Sequence, residues 1–432
     1  MTDKLYQAYL QSRAVTTDSR AITPGCIFFA FAGAHFDGNS FAQQALRQGA
    51  ALCVVSDARY ADDDRCLVVP DVLKELQDLA RRHRRQMAIP IIGITGTNGK
   101  TTTKELTHAV LSRRYRTHAT AGNHNNHLGV PLTILATPAD AEIAIVEMGA
   151  NHPGEIAALC DIASPDYGII TNVGRAHLEG FGSFEGVLQT KTELYRHLAA
   201  KNGAAFVNAG NTLLCREAAA CGLDTIRYGD SDDAHVRGHQ VAADPYLKYY
   251  MEDGDSVYSI RTQLLGGYNF DNVMAASAVG RHFRVDYWDI KEAIESYAPS
   301  NNRSQYKETA RNTLILDCYN ANPSSMKAAL DNFEALERDN KVAILGNMRE
   351  LGADSQTEHE AVVDRLLTMS LARTLLVGPE FAFVQDRDMP SLLWFANVQQ
   401  AADYLSRNPV SGATVLLKGS NGTRMWELEK VL

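Results

Sequence analysis

The stretch Ile91-Ile92-Gly93-Ile94-Thr95-Gly96-Thr97-Asn98-Gly99-Lys100-Thr101-Thr102 constrains this chain more than any other. An apolar run ends in a glycine-rich turn, and the turn ends in a lysine and two hydroxyls. Leu106, Ala109, Val110 and Leu111 then recur at helical spacing, while Lys104, Glu105 and His108 are polar. Strand, glycine turn and helix in that order bring backbone N–H groups to a helix N-terminus, where an anion is stabilised. Gly96 and Gly99 let the backbone close on a phosphate, Lys100 reaches the outer phosphates as a point charge, and Thr101 offers a hydroxyl to Mg²⁺. The pattern G-x-x-x-x-G-K-[ST] is met except at Ile94, which stands where that pattern has glycine. An ordinary glycine turn would leave Lys100 and Thr101 unexplained. The segment Gly96, Thr97, Asn98, Gly99, Lys100, Thr101 and Thr102 is therefore expected to hold ATP.

A chain of 432 residues exceeds what one hydrophobic core organises and calls for about two to four domains. Apolar content of 45% and charged content of 22% are those of a globular protein with a full core. The net charge of -9 gives no basic bias toward nucleic acid, so small-molecule partners are expected. Seven cysteines form no C-x-x-C pair, and several lie in apolar runs such as Ala51-Leu52-Cys53-Val54-Val55. They read as reduced core thiols of a cytoplasmic protein. The N-terminus lacks a signal-peptide core, and no run of eighteen apolar residues occurs, so neither secretion nor a membrane span is expected. The basic run Arg81-Arg82-His83-Arg84-Arg85 follows a helical stretch and reads as a solvated helix end.

Residues 1–87 alternate short strands at 26–31, 51–56 and 66–69 with helical stretches near 40–49 and 71–86. Pro90 opens the buried strand 91–95, and strands at 142–148, 167–172 and 204–208 follow, in the rhythm of a doubly wound parallel sheet. Between about 226 and 265 polar and apolar residues alternate around Asp253-Gly254, which predicts an antiparallel hairpin appended to that sheet. The segment 296–302 reads as a linker, and strands at 313–317, 342–345, 374–377 and 414–417 predict a second parallel sheet. The fold class is thus α/β in three domains: a small N-terminal α/β domain (1–87), a central P-loop parallel-sheet ATPase domain (88–298) and a C-terminal Rossmann-like α/β domain (299–432).

In open α/β sheets ligands lie beyond the carboxyl ends of strands. Glu147 ends the run Ile143-Ala144-Ile145-Val146 near the phosphate loop, where a carboxylate either completes an Mg²⁺ site with Thr101 or caps a helix dipole. His177 follows the strand ending at Thr171-Asn172 and reads as a hydrogen-bonded loop residue or a ligand. Lys191 sits in the helical stretch 186–197, and nothing in its neighbours distinguishes it from a solvated charge. Asn123, Asn125 and Asn126 offer amides to a polar substrate, while His124 and His127 lack the further ligands that zinc needs. Asp317 ends the run Thr313-Leu314-Ile315-Leu316 and leads into Cys318-Tyr319-Asn320-Ala321-Asn322-Pro323-Ser324-Ser325, either a recognition loop or a polar connector, with Ser324 or Ser325 beginning a helix.

Nine segments in order resemble the ATP-dependent Mur ligases of peptidoglycan synthesis: GTNGKTT (96–102), GNHNNHLGVPLT (122–133), VEMGANHPGEI (146–156), AHLEGFGS (176–183), QTKTELY (189–195), GGYNFDN (266–272), DCYNANPSSM (317–326), LGNMRELG (345–352) and KGSNGTRM (418–425). The resemblance covers essentially the whole chain. It implies that Lys100 contacts the transferred phosphoryl group, that Thr101 and Glu147 hold one Mg²⁺, and that His177 holds a second together with Lys191 in carbamylated form. It implies Asn269 and Asn272 on the adenine side, Arg303 at the phosphates, Asp317 at the ribose, and Tyr319, Asn320, Asn322 and Ser325 toward an incoming dipeptide. The N-terminal residues Ser19, Arg20, Gly33, His35 and Asp37 match the uridine-nucleotide-binding part, although Asn302 precedes Arg303 where many relatives have glycine. The implied partners are UDP-N-acetylmuramoyl-tripeptide and D-alanyl-D-alanine, and the implied state is a monomer. Folylpolyglutamate synthase and the sister ligase adding the third amino acid fit less well. The former lacks a domain like 1–87 and the latter lacks YNANPSSM. A nucleotide switch fits least, since no N-K-x-D motif occurs and a switch has no need of Glu147, His177 and Lys191 together.

Overall fold

A computed structural model describes residues 3–12, 14–33, 36–299, 304–386 and 392–432. His35 and Arg303, both expected at binding sites, lie outside the described residues, as do 300–302 of the expected linker.

Three sheets with parallel cores carry the fold. In the N-terminal sheet Val15–Thr16, Ile27–Phe29, Leu52–Val55 and Cys66–Val68 run parallel in that order, beside a separate antiparallel pair of two-residue strands, Ala32–Gly33 and Phe36–Asp37. In the central sheet Thr117–Ala119, Ile143–Glu147, Ile91–Thr95, Tyr167–Ile170, Ala204–Asn208, Asp224–Gly229 and Val236–Ala243 are parallel neighbours. The predicted hairpin is present, as Tyr246–Asp253 and Ser256–Leu265 pair antiparallel around Gly254 and extend the sheet from Val236–Ala243. The C-terminal sheet orders Gln305–Glu308, Thr313–Asp317, Thr414–Lys418, Lys341–Gly346, Arg373–Val377 and Leu392–Phe395, with only the first strand antiparallel.

The sequence reading missed the helix Asp3–Ser12 and the strands Val15–Thr16, Thr117–Ala119, Gln305–Glu308 and Leu392–Phe395. These strands are short or at an edge and are less than fully buried, so they lack the apolar run that marks a central parallel strand. The expected helix across 186–197 is two helices, Phe184–Lys191 and Glu193–Ala200, joined at Thr192.

The first two sheets share one core. Leu5, Tyr9, Leu76 and Leu79 pack in the same apolar cluster as Val130, Ile134, Leu159 and Ile162. The expected solvated end of the helix Val72–Arg84 is in fact part of that contact. His83 and Arg84 are buried, and Arg84 donates to Ala163 O (2.9 Å), Ser164 O (3.0 Å), Met87 O (3.1 Å) and Asp166 Oδ2 (2.7 Å). A guanidinium with five fixed donors can cap several carbonyls at once, which a solvated cation need not do. All seven cysteines are free thiols, and Cys26, Cys53, Cys160 and Cys318 are buried. No described helix is long and apolar enough to cross a membrane.

Candidate active site

The strand Ile91–Thr95 sits where the central sheet changes winding direction. The chain that follows it builds Thr117–Ala119 and Ile143–Glu147 on one side, then Tyr167–Ile170 and its successors on the other. Such a switch point opens a crevice at the carboxyl ends of the strands. Gly96 and Gly99 bend the loop there at φ 140° and 80°. A Cβ at Gly96 would meet Thr171 Oγ1 at 2.0 Å and one at Gly99 would meet Asn272 Oδ1 at 2.5 Å, so the loop packs where only glycine fits. Thr97 N donates to Asn172 O (2.9 Å) and Asn98 N to Asn172 Oδ1 (3.0 Å), which fixes the turn before the helix Lys100–Leu111 begins. Lys100 Nζ donates to Gly96 O (2.8 Å) and Thr97 O (2.9 Å), holding its charge across the mouth of the loop.

Glu147 is buried beside this loop. Its Oε1 accepts from Thr101 Oγ1 (3.2 Å) and Asn125 Nδ2 (2.8 Å), whereas the buried Oε2 has no hydrogen-bond partner. Lys104 Nζ lies 3.9 Å from Oε2. Lys104, expected among polar residues of its helix, is only 3% exposed and donates to Thr120 O (2.9 Å) and Gly122 O (3.3 Å). A buried carboxylate oxygen without a hydrogen bond, in a side chain bonded to a threonine hydroxyl, is part of a hard-oxygen donor set, which fits Mg²⁺. Among the described residues no group of three His, Cys, Asp or Glu side chains is arranged to hold a metal.

His177, at a left-handed φ of 51°, pairs through Nδ1 with the Glu350 carboxylate of the C-terminal domain. Burial pushes its imidazole down and Glu350 opposes that shift. Lys191 is 2% exposed, with Nζ 5.4 Å from the centroid of Phe181, whose ring also faces His177 edge-on. Burial, then the charge of Lys100, pushes Lys191 down to about 7. The surface-charge reading of this lysine is therefore corrected. An ammonium repels a cation, so Lys191 fits a metal site only if its charge is reversed.

Three cavities adjoin one another here, the first two of them lined by residues of the loop. The largest, about 420 Å³, is lined by Lys100, Thr101, Asn123, Asn125, Asn126, Glu147 and His177. A second, about 310 Å³, is lined by Gly99, Thr102, Asn269, Asn272, Asp317 and Ser325. A third, about 190 Å³, lies between His177, Asn322, Arg349, Glu350 and Ser420. Tyr319 and Asn320 line all three. Thr97 lines the first cavity and Asn98 the first and second, so the expected nucleotide residues of the described chain are brought together.

Several expected residues also carry structural duties. Asn272 Nδ2 donates to Asn269 Oδ1 (2.9 Å), and Asn269 Nδ2 to Leu265 O (2.7 Å). Asn126 Oδ1 accepts from Gly129 N (2.9 Å). Asn322, not Ser324 or Ser325, caps the helix Pro323–Ala335, in a reciprocal box with Ser325. Its Nδ2 also donates to Asn98 Oδ1 (2.8 Å), tying the C-terminal domain to the phosphate loop. Asp317 accepts from the buried Lys418 Nζ (2.5 Å). Ser19, Arg20, Gly33 and Asp37 follow the carboxyl ends of Val15–Thr16 and Ile27–Phe29, on one edge of the N-terminal sheet. Arg20 there is exposed and paired with Asp18 (2.8 Å), and Asp37 caps Gly38–Phe41.

Sequence reasoning assigned no role to Lys104, Asn172, Arg349, Glu350 or Lys418. The segments LGNMRELG and KGSNGTRM held the signal for the last three, but their partners lie in other segments.

Comparison with known proteins gives a consistent result. Residues 94–280 match the family described as Mur ligase middle domain, 302–421 the Mur ligase glutamate ligase domain, and 12–87 the Mur ligase family catalytic domain. The UDP-N-acetylmuramoyl-tripeptide--D-alanyl-D-alanine ligase of Bacillus subtilis (strain 168) is 33% identical over 431 residues, covering 97% of this chain and 92% of that protein. The crystal structure of MurF from Acinetobacter baumannii superposes with a TM-score of 0.86 at 28% identity, covering 98% of this chain and 97% of that one. The MurF ligase from Thermotoga maritima, solved in complex with ADP, gives 0.85 at 28% identity and covers 100% and 98%.

Proposed function

Because this chain belongs to the Mur ligase family, we infer that it is the ATP-dependent ligase joining D-alanyl-D-alanine to UDP-N-acetylmuramoyl-tripeptide, a step of peptidoglycan precursor synthesis. The observation that carries this reading is the meeting of three cavities at Tyr319 and Asn320, in a chain alike over 97% of its length to a ligase with three substrates.

An amide does not form from a free carboxylate and an amine in water without activation. The γ-phosphoryl of ATP passes to the terminal carboxylate of the tripeptide, giving an acyl phosphate and ADP. The amine of D-alanyl-D-alanine then attacks the acyl carbon, and the tetrahedral intermediate loses a proton and expels inorganic phosphate. Such chemistry is mostly positioning and charge neutralisation. Lys100, already spanning the loop, is suited to the transferred phosphoryl group. Thr101 and Glu147 are suited to hold Mg²⁺, which when bound neutralises phosphate charge. His177, with Lys191 as a carbamate, is suited to hold a second ion. The depressed basicity of Lys191 supports this, since the free amine is the form that adds CO₂.

Asn269, Asn272 and Asp317 line the cavity suited to the nucleoside of ATP, and Arg303 is proposed to complete its phosphate side. Asn123, Asn125 and Asn126 are suited to the muramoyl-peptide, and Tyr319, Asn320, Asn322 and Ser325 to the dipeptide. Residues 1–87, with Ser19, Arg20, Gly33, His35 and Asp37, are assigned to the uridine diphosphate, 88–298 to ATP, and 299–432 to closure and dipeptide binding. Closure keeps water from the acyl phosphate. Since one chain lines all three cavities, the reading carries a monomer, and its soluble charged substrates carry a cytoplasmic location.

The test is phosphate release with ATP, Mg²⁺ and UDP-muramoyl-tripeptide, with and without D-alanyl-D-alanine, following the nucleotide product by mass. Release that needs the dipeptide, with a product heavier by the dipeptide less water, is expected. Release independent of the dipeptide would overturn the reading in favour of a sister ligase.

A further inference from the structure

Among the cations lining the three cavities, most are committed. Lys100 bridges Gly96 and Thr97, and Lys418 is bound to Asp317. Arg175, close by on the central domain, is paired with Asp354 (3.3 Å) and Glu358 (2.8 Å). Arg349 differs from these. It lines the third cavity, is exposed, and has no hydrogen bond or ion pair with any described residue. Its guanidinium lies beside Gly422, where a Cβ would meet Nη1 at 2.3 Å and Cζ at 2.4 Å. Gly422 belongs to the segment 418–425 and Arg349 to 345–352, the segments that also supply Lys418 to Asp317 and Glu350 to His177.

The next residue, Glu350, holds His177 and adopts a left-handed φ of 61°, a conformation that a non-glycine residue keeps only where its surroundings impose it. The pair therefore spans from the metal-side histidine to a free guanidinium. Consecutive Cα atoms lie about 3.8 Å apart, and a dipeptide extends about 7 Å. His177 and Arg349 line the same cavity, so an amine held near His177 leaves the far carboxylate in the cavity that Arg349 lines.

We propose that Arg349 receives the C-terminal carboxylate of the incoming dipeptide in the third cavity and so makes the enzyme require a free acid there. This rests on the ligase reading and adds to it the group that reads the far end of the acceptor. An arginine fork matches a carboxylate in two parallel hydrogen bonds, whereas a neutral amide offers it only one weaker acceptor. The acid thus gains a charge-assisted pair that the amide lacks, and binding favours the acid.

The test compares D-alanyl-D-alanine with its C-terminal amide as acceptors for wild type, Arg349→Met and Arg349→Lys. Wild type is expected to prefer the acid. In Arg349→Met the KM for the acid rises roughly 10- to 100-fold, the KM for the amide moves little and the preference collapses, while the KM for ATP stays near wild type. Arg349→Lys, which keeps the charge without the fork, recovers part of the preference. If Arg349→Met still prefers the acid as strongly as wild type, the proposal is overturned. If wild type ligates neither acceptor, the ligase reading itself fails and takes the proposal with it, an outcome distinct from ligation without discrimination.

Discussion

Replacing Lys191 by methionine should make the protein more stable and inactive at once. The side chain is buried, and its basicity is pushed from 10.5 to about 7, chiefly by burial and then by Lys100. Between pH 7 and 10.5 the unfolded chain binds a proton that the native state lacks, so native stability rises with pH across that window. At about 1.4 kcal/mol per unit, the burial penalty is about 4 kcal/mol at pH 7 and about 2 kcal/mol at pH 9. Methionine keeps the length and removes the charge, so Lys191→Met should exceed wild type by about 4 kcal/mol at pH 7 and by about 2 kcal/mol at pH 9. Urea unfolding in CO₂-depleted buffer at both pH values measures it, with m-values checked for equality. A variant less stable at pH 7, or a gain that does not shrink by pH 9, would refute the argument that an unpaired buried charge is held there. At pH 7 about half of these side chains are free amine, against about one in 3,000 for an ordinary lysine. Wild-type ligation should therefore rise on adding bicarbonate, and the methionine variant should stay inert.

Three further outcomes are expected. Lys100→Ala should lower ligation by roughly 10²-fold or more with an unchanged circular dichroism spectrum, because its ammonium contributes charge and not packing; normal turnover would sink its assignment. Glu147→Gln should raise the Mg²⁺ concentration for half-maximal rate roughly tenfold or more, read from a Mg²⁺ titration of phosphate release, since a neutral amide is a poorer ligand. Arg84→Ala should destabilise the contact between the first two domains by about 2–3 kcal/mol, because it strips three carbonyls and Asp166 of their donor. An unmoved thermal midpoint would show that water replaces the guanidinium freely.

The chain by itself determined the strand Ile91–Thr95 with its phosphate loop, the central strands of the two larger sheets, and the polar residues Glu147 and Asp317 at strand ends. These were legible because hydrophobic periodicity and turn chemistry are set by near neighbours. Only the tertiary structure decided which charges are buried and with whom. Lys104, Lys191 and Arg84 look alike in sequence to solvated helix cations, yet each is enclosed by elements far along the chain. The hydrogen bond from Asn322 to Asn98 joins residues 224 apart, and His177 meets Glu350 across 173. Such pairings depend on strand order and on how one domain's edge faces another, and no local pattern carries that information. The same holds for Arg349, whose place in a cavity beside Glu350 and Gly422 is a property of three loops brought together by the packing of two sheets.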